Sequence, residues 1–449
     1  MSTAPNPSII KAVEQLDYRV TPGDVAAKAG LDVNLAQQQL LTLASEAGGH
    51  LQVSETGEMA FQFSKDFQAI LRNKYWRLRW KSWWEKVWRV LFYLIRISFG
   101  ILLVLSIALI LVAIVVILIA LSASKDGEMG GGGDGGDGMS FPRVWLGPDW
   151  FWFLYWDPRD YDATHRRRSR SRNRGRSGQA EKGELNFFEA IFSFLFGDGD
   201  PNNRLEERRW QTIATVIRNN QGAIAAEQLA PYFDQISPGS LDYEDYVLPA
   251  LARFDGQPQV SPEGQIIYHF PELQTTATEF QEQSVPGYLR EKPWRFSQAS
   301  SNQVMLSIGL GAVNLVGALV LGNLLADGTI AAQLGGFVEF VNWIYPVLLF
   351  YGTGFLGIPL VRYFWIQWRN TKVQARNQER LERTTVINHA NPELQKKLSY
   401  AKQFATQTVI DQKQLAYTTE EDLIEQEVKQ ADRIDAEWEQ RLNQSNSGS

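Results

Sequence analysis

Between Ile97 and Leu121 the chain reads ISFGILLVLSIALILVAIVVILIAL, 25 residues without a single charge. A helix of about 20 apolar residues crosses the hydrocarbon core of a bilayer, so this run predicts a transmembrane helix. It lies too far along the chain to be a cleaved signal peptide, which occupies roughly the first 15–30 residues. Val304–Leu325 and, after a turn holding Asp327, Phe340–Val361 predict a transmembrane hairpin over residues 302–361. The mean hydropathy of −0.24 nonetheless implies that most of the chain lies in water.

Upstream of the first span, KYWRLRWKSWWEKVWRV sets Trp76, Trp80, Trp84 and Trp88 four residues apart, with Arg77 and Lys81 among the surrounding cations. Indole rings favour the bilayer interface and cations favour anionic headgroups. Residues 67–122 therefore predict an interfacial helix leading into a span, with membrane lipid as its partner. In Val304–Leu325, Ser307, Gly311, Asn314, Ala318 and Gly322 form a stripe of small or polar side chains, the pattern of a helix-packing face. Such a stripe serves the hairpin itself or docks another membrane protein.

The water-exposed parts contain a repeat. LQVSETGEMAFQF at 51–63 and PQVSPEGQIIYHF at 258–270 align at a shift of 207 residues, and each reads as a hairpin turning at glycine. Before the first hairpin, Ile9, Ile10, Val13 and Leu16 have helical spacing. Thr21-Pro22-Gly23-Asp24 opens a second helix with cap, proline and acid in order, and Asp32 caps a third that ends at Gly48-Gly49. Before the second hairpin, Trp210, Ile213 and Ile217, then Ala226–Tyr232, then Leu241–Phe254 repeat the order. The sequence predicts two winged-helix-like modules, over residues 1–66 and 204–281.

Charge argues against nucleic acid as their partner. Residues 1–64 carry three basic and seven acidic side chains, and residues 204–281 carry five and eleven. The third helix of the first module has no Lys or Arg, where a DNA reader would place cations against phosphate. Protein docking through acidic faces is the functional alternative to helices that only pack a small core.

Residues 123–183 predict a linker, glycine-rich and acidic first, then carrying seven arginines in Arg166–Arg176. That basic tract supports a second reading, a membrane-tethered nucleic-acid regulator. Residues 184–200 predict a short interfacial apolar helix, FFEAIFSFLF, followed by GDGDPNN. The latter begins like a calcium loop and departs from it, with Asn203 at the glycine position and Arg209 at the final glutamate position. Residues 362–449 predict a charged helical C-terminal region, basic to residue 413 and acidic beyond, broken near Asn391-Pro392 and Tyr417-Thr418.

The positive-inside rule puts the N-terminal module on the cytoplasmic side or its plastid equivalent, and also both flanks of the hairpin. Three crossings alone cannot satisfy both. The aromatic stretch 144–156 is a candidate for returning the chain. With no cysteine, disulfides, thiol catalysis and cysteine-ligated metal or iron–sulfur centres are excluded. No phosphate loop, nucleophile elbow or dinucleotide fingerprint appears. The expectation is a non-enzymatic protein without cofactor or metal.

FFEAIFSFLFGDGDPN followed by EERRW, EQLAPY, YVLPAL and RFDGQPQV resembles an uncharacterised integral-membrane family shared by cyanobacteria and chloroplasts. That resemblance implies a plasma or thylakoid membrane and service to photosynthetic complexes. Together these readings predict a mostly α chain with small β-hairpins: two winged-helix-like α+β modules, transmembrane helices and a helical C-terminal tail. Its expected role is a membrane-anchored adaptor or assembly factor with a protein partner, a membrane complex being the candidate.

Overall fold

A computed structural model describes residues 6–74, 76–126, 185–234, 236, 243–326, 329–389, 391–411, 415–428, 431 and 438. The linker 123–183, with its aromatic stretch and its arginine tract, lies almost wholly outside them. The described chain is mostly helical with small sheets, and it divides into two units.

The first unit comprises residues 1–95, 197–296 and 360–449. Its N-terminal segment runs α1 (Pro7–Gln15), β1 (Arg19–Val20), α2 (Pro22–Ala29), α3 (Val33–Ala47), β2 (His50–Ser54), β3 (Met59–Gln62) and α4 (Phe67–Lys74). The expected cap on α2 is present: the Thr21 hydroxyl accepts from Asp24 N while the Asp24 carboxylate accepts from Thr21 N. Gly30 and Gly48 end α2 and α3 in the left-handed conformation.

The central segment runs α7 (Leu205–Asn219), β4 (Ala223–Ile224), α8 (Leu248–Phe254), β5 (Gln257–Val260), β6 (Ile266–His269), α9 (Pro271–Gln274) and β7 (Thr275–Thr276). Here two expected helices are shortened. Ala226–Tyr232 forms two single 3-10 turns, and within the stretch expected as Leu241–Phe254 the residues Asp245–Val247 form a 3-10 turn before the α-helix at Leu248–Phe254. Pro231 and Pro249 are the physical reason, since each lacks the amide that would continue a helix from its N-terminal side. In both segments the short strand pairs with the last strand of the hairpin, giving the orders β1-β3-β2 and β4-β6-β5.

One continuous apolar core holds both segments. Ile9, Val13, Val25, Leu40 and Phe61 share it with Trp210, Ile213, Ile217, Phe254 and Phe270. The segments approach so closely that a Cβ on Gly23 would collide with the Glu272 carbonyl.

The C-terminal region is less helical than its sequence implies. After α13 (Pro392–Phe404) come β8 (Thr408–Val409) and β9 (Leu415–Thr418). Strand β9 adds to the free edge of β2, with Gln52 opposite Thr418 and Val53 opposite Tyr417. Strand β8 pairs in parallel with β7. An edge strand exposes a row of unpaired amides and carbonyls, and the chain's own tail covers this one.

The second unit comprises residues 96–196 and 297–359. Three helices that contribute to it are long and apolar enough to cross a membrane: α5 (Trp76–Asp126), α10 (Ser301–Leu325) and α12 (Gly336–Asn388). The short helices α6 (Phe187–Phe196) and α11 (Thr329–Leu334) complete it. Ile110, Ala113, Ile117, Ala318, Leu321, Val341 and Leu348 form its core. Helix α12 does not stop at residue 361. It runs unbroken for 53 residues with Pro346 and Pro359 inside it, so the expected irregular span is a continuous helix. Packed neighbours make an interior proline tolerable in membrane helices.

Candidate functional site

In α5 the side chains of Trp80, Trp83, Trp84 and Trp88 are each more than half exposed. Trp83 extends the expected set: its ring lies 5.9 Å from Trp80 and 6.4 Å from Trp84. Trp76, Arg77 and Lys81 lie in the same helix, their side chains outside the described residues.

A second aromatic belt was not legible from spacing, because its members lie some seventy residues apart in sequence. The Arg369 guanidinium sits 4.4 Å from the Trp294 ring centre and 5.0 Å from that of Trp365, and Lys372 Nζ lies 3.8 Å over Trp368. Two asparagines, two helical turns apart on α12, strap to that helix the loop that precedes α10. Asn370 accepts from Trp294 N at 2.7 Å and donates to its carbonyl at 2.9 Å; Asn377 does the same for Glu291, at 2.9 Å each way. Cation–π stacking and indole amphipathicity suit such a cluster to the headgroup level of a bilayer.

Three buried ion-pair hubs fix the first unit. Asp24 takes Arg218 Nη2 at 2.7 Å on one oxygen, and on the other the amides of Thr21 and Ala277, both at 3.0 Å. Arg380 is fully buried, pairs with Asp234 and with Glu291 at 2.8 Å, and donates to the Leu289 carbonyl at 2.9 Å. Arg376 grips the same Glu291 with two bonds, at 2.8 and 2.5 Å. Burial alone would raise the Glu291 carboxyl, but the hydrogen bonds from Arg376 and the charge of Arg380 outweigh it and hold it below the usual carboxylate range. The third hub is Lys397 on α13, which reaches Glu227 at 3.0 Å and also pairs with Glu244. Tyr268 donates to Glu244 at 2.8 Å, and burial together with that carboxylate pushes its phenol up.

The exposed face of α3 bears Asn34, Leu35, Gln38, Leu41 and Ser45, with no charge among them. Leu35 and Leu41 are 39% and 44% exposed. An uncharged face with two leucines offers a polypeptide apolar contact and offers phosphate nothing.

Along α10, Ser307, Asn314 and Ala318 are buried. A Cβ on Gly311 would meet the Phe355 ring, and one on Gly322 would meet the Tyr345 phenol. Ser106 of α5 donates to Asn314 at 2.8 Å. The stripe thus packs within its own unit, against both α5 and α12. Among the described residues no group of His, Cys, Asp or Glu side chains could hold a metal ion. In GDGDPNN, Asp200 is used locally, accepting from Asn202 N at 2.8 Å.

Over 447 residues the chain is 36% identical to an uncharacterised chloroplastic protein of Arabidopsis thaliana, a match covering 96% of this chain and 81% of the relative. No family model matches the chain, and no solved structure matches it.

Proposed function

Because the chain belongs to the same family as that chloroplastic plant protein, we propose that it is a non-enzymatic, multi-pass membrane adaptor or assembly factor of a thylakoid or related membrane. Its two α/β segments are read as divergent winged-helix modules that dock protein rather than nucleic acid. The observation that carries this reading is the α3 face: at the position where a winged helix would enter a DNA groove, this one presents Leu35, Gln38 and Leu41 and no cation. The net charges of −4 and −6 over residues 1–64 and 204–281 point the same way. So does the third strand of the first sheet, whose edge is already covered by β9. In this reading both modules lie on one side of the bilayer, with an even number of crossings between them, and the apolar core shared by the two segments supports it. The chloroplast location of the relative and the three apolar helices support the membrane assignment.

The test is affinity purification of the full chain in detergent, comparing wild type with Leu35→Glu/Leu41→Glu. The expected outcome is a specific membrane-complex subunit, retained after nuclease treatment and lost from the variant while the variant remains folded. Tight, sequence-dependent binding of duplex DNA at physiological salt refutes the reading.

A further inference from the structure

Residues 1–64 and 204–281 contain eight basic side chains. Three are engaged internally. Arg19 donates to Gln52 and to the Ala277 carbonyl, Arg209 pairs with Glu206 and Asp234, and Arg253 donates to the Gly30 carbonyl while covering the Trp210 ring. The other five, Lys11, Lys28, Arg204, Arg208 and Arg218, all line a single cleft of about 920 Å³; Arg218 is committed there to Asp24, and Lys292 joins the remaining four. An acidic head has therefore gathered its uncommitted cations in one place.

The cleft contains acids too, and they do not cancel the cations. Asp24 is consumed by Arg218, and Glu207, Glu279 and Glu282 remain on the lining. Against them stand Lys11, Lys28, Arg204, Arg208 and Lys292, none of which makes an ion pair among the described residues. They converge from four elements: α1, the end of α2, two successive turns around the start of α7, and the strap before α10. The walls are fixed beforehand. Gln211 donates to the Lys28 carbonyl at 2.9 Å, joining α2 to α7, and Asn202 makes two bonds with the backbone of Lys292, at 2.8 and 2.9 Å. Like charges held together on a rigid frame repel one another until a counter-anion arrives.

We propose that this cleft binds a phosphate-bearing anion, with Arg204 and Arg208 as planar guanidinium forks and Lys11, Lys28 and Lys292 as point charges around it. A phosphoryl group carries the multiple negative charges that five converging cations call for, and the volume exceeds what inorganic phosphate alone would fill. The same chemistry has two sources, a soluble phosphate ester or the headgroup of an anionic lipid. This inference is independent of the docking role of α3.

The experiment uses the full chain in nanodiscs of neutral phosphatidylcholine, titrated with tripolyphosphate by calorimetry at fixed salt. Wild type is expected to bind. Arg204→Ala/Arg208→Ala, which truncates one exposed and one half-buried side chain without removing a helix cap, is expected to bind roughly tenfold more weakly at an unchanged unfolding temperature. Lys396→Ala, which removes an exposed cation paired with Glu263 away from the cleft, should bind like wild type. Repeating the titration with phosphatidylglycerol in the discs separates the sources: competition identifies the headgroup, and an unchanged affinity identifies a soluble ester. No binding by wild type, or equal weakening in Lys396→Ala, overturns the proposal.

Discussion

Asp24→Ala is expected to be the most damaging conservative truncation in the first unit. Its carboxylate, with a side chain only 8% exposed, neutralises Arg218 at 7% and accepts two buried amides, one in its own helix cap and one 253 residues away at Ala277. Removing one partner of a buried pair costs about 3–5 kcal/mol, because the other charge is left uncompensated. Each buried amide left without an acceptor adds on the order of 1–3 kcal/mol, less whatever entering water recovers. A net loss of about 4 kcal/mol follows, equivalent to roughly 8–16 °C in unfolding temperature at ~2–4 °C per kcal/mol for a domain of this class. The assay is thermal unfolding of the full chain in detergent, with hydrogen exchange at the Thr21 and Ala277 amides as a local readout. Adding Arg218→Met removes the stranded charge, so the double variant should be more stable than the sum of the single losses by at least about 2 kcal/mol. A loss under about 0.5 kcal/mol for Asp24→Ala, or strict additivity, refutes the reasoning.

Three further outcomes are expected. Gly23→Ala should destabilise the protein although helix propensity alone predicts a gain of about 1 kcal/mol, because the added methyl meets the Glu272 carbonyl; unfolding temperature decides the sign. Glu291, whose folded pKa is depressed, contributes stability that is fully present above its unfolded value near 4.5 and is lost as pH falls through the lower folded value. Glu291→Gln should therefore flatten that acid limb in a pH series of unfolding temperatures while lowering stability at neutral pH. Ser106→Ala should cost only ~0.6–1.7 kcal/mol, the usual worth of a hydrogen bond between membrane helices, measured by unfolding in mixed micelles.

What could be read in advance divides by sequence distance. The Thr21–Asp24 cap, the glycine stops at Gly30 and Gly48 and the apolar spans all declare themselves within a few residues. That the same Asp24 would also anchor Arg218 could not be foreseen, since local spacing carries no information about a partner 194 residues on. The tryptophans of α5 are visible as a four-residue period, whereas the Trp294–Arg369–Trp365 stack exists only once α12 is folded beside its strap. Leu415–Thr418 is too short to show alternation, and its place in a sheet is decided by the open edge of β2. Pro231 and Pro249 are the local exception. The hydrophobic period continues across both and so masks their cost to the helices of the central segment.

The tail strand β9 carries a consequence for biosynthesis. The first sheet is encoded before residue 63, yet the strand that finishes it lies at Leu415–Thr418. During synthesis the N-terminal fold therefore waits, with one flank unsheltered, until the three long apolar helices α5, α10 and α12 have all been made. A chain cut short after α12 would keep that flank bare and open to illicit strand exchange. Completion of the polypeptide and closure of its earliest sheet are one event.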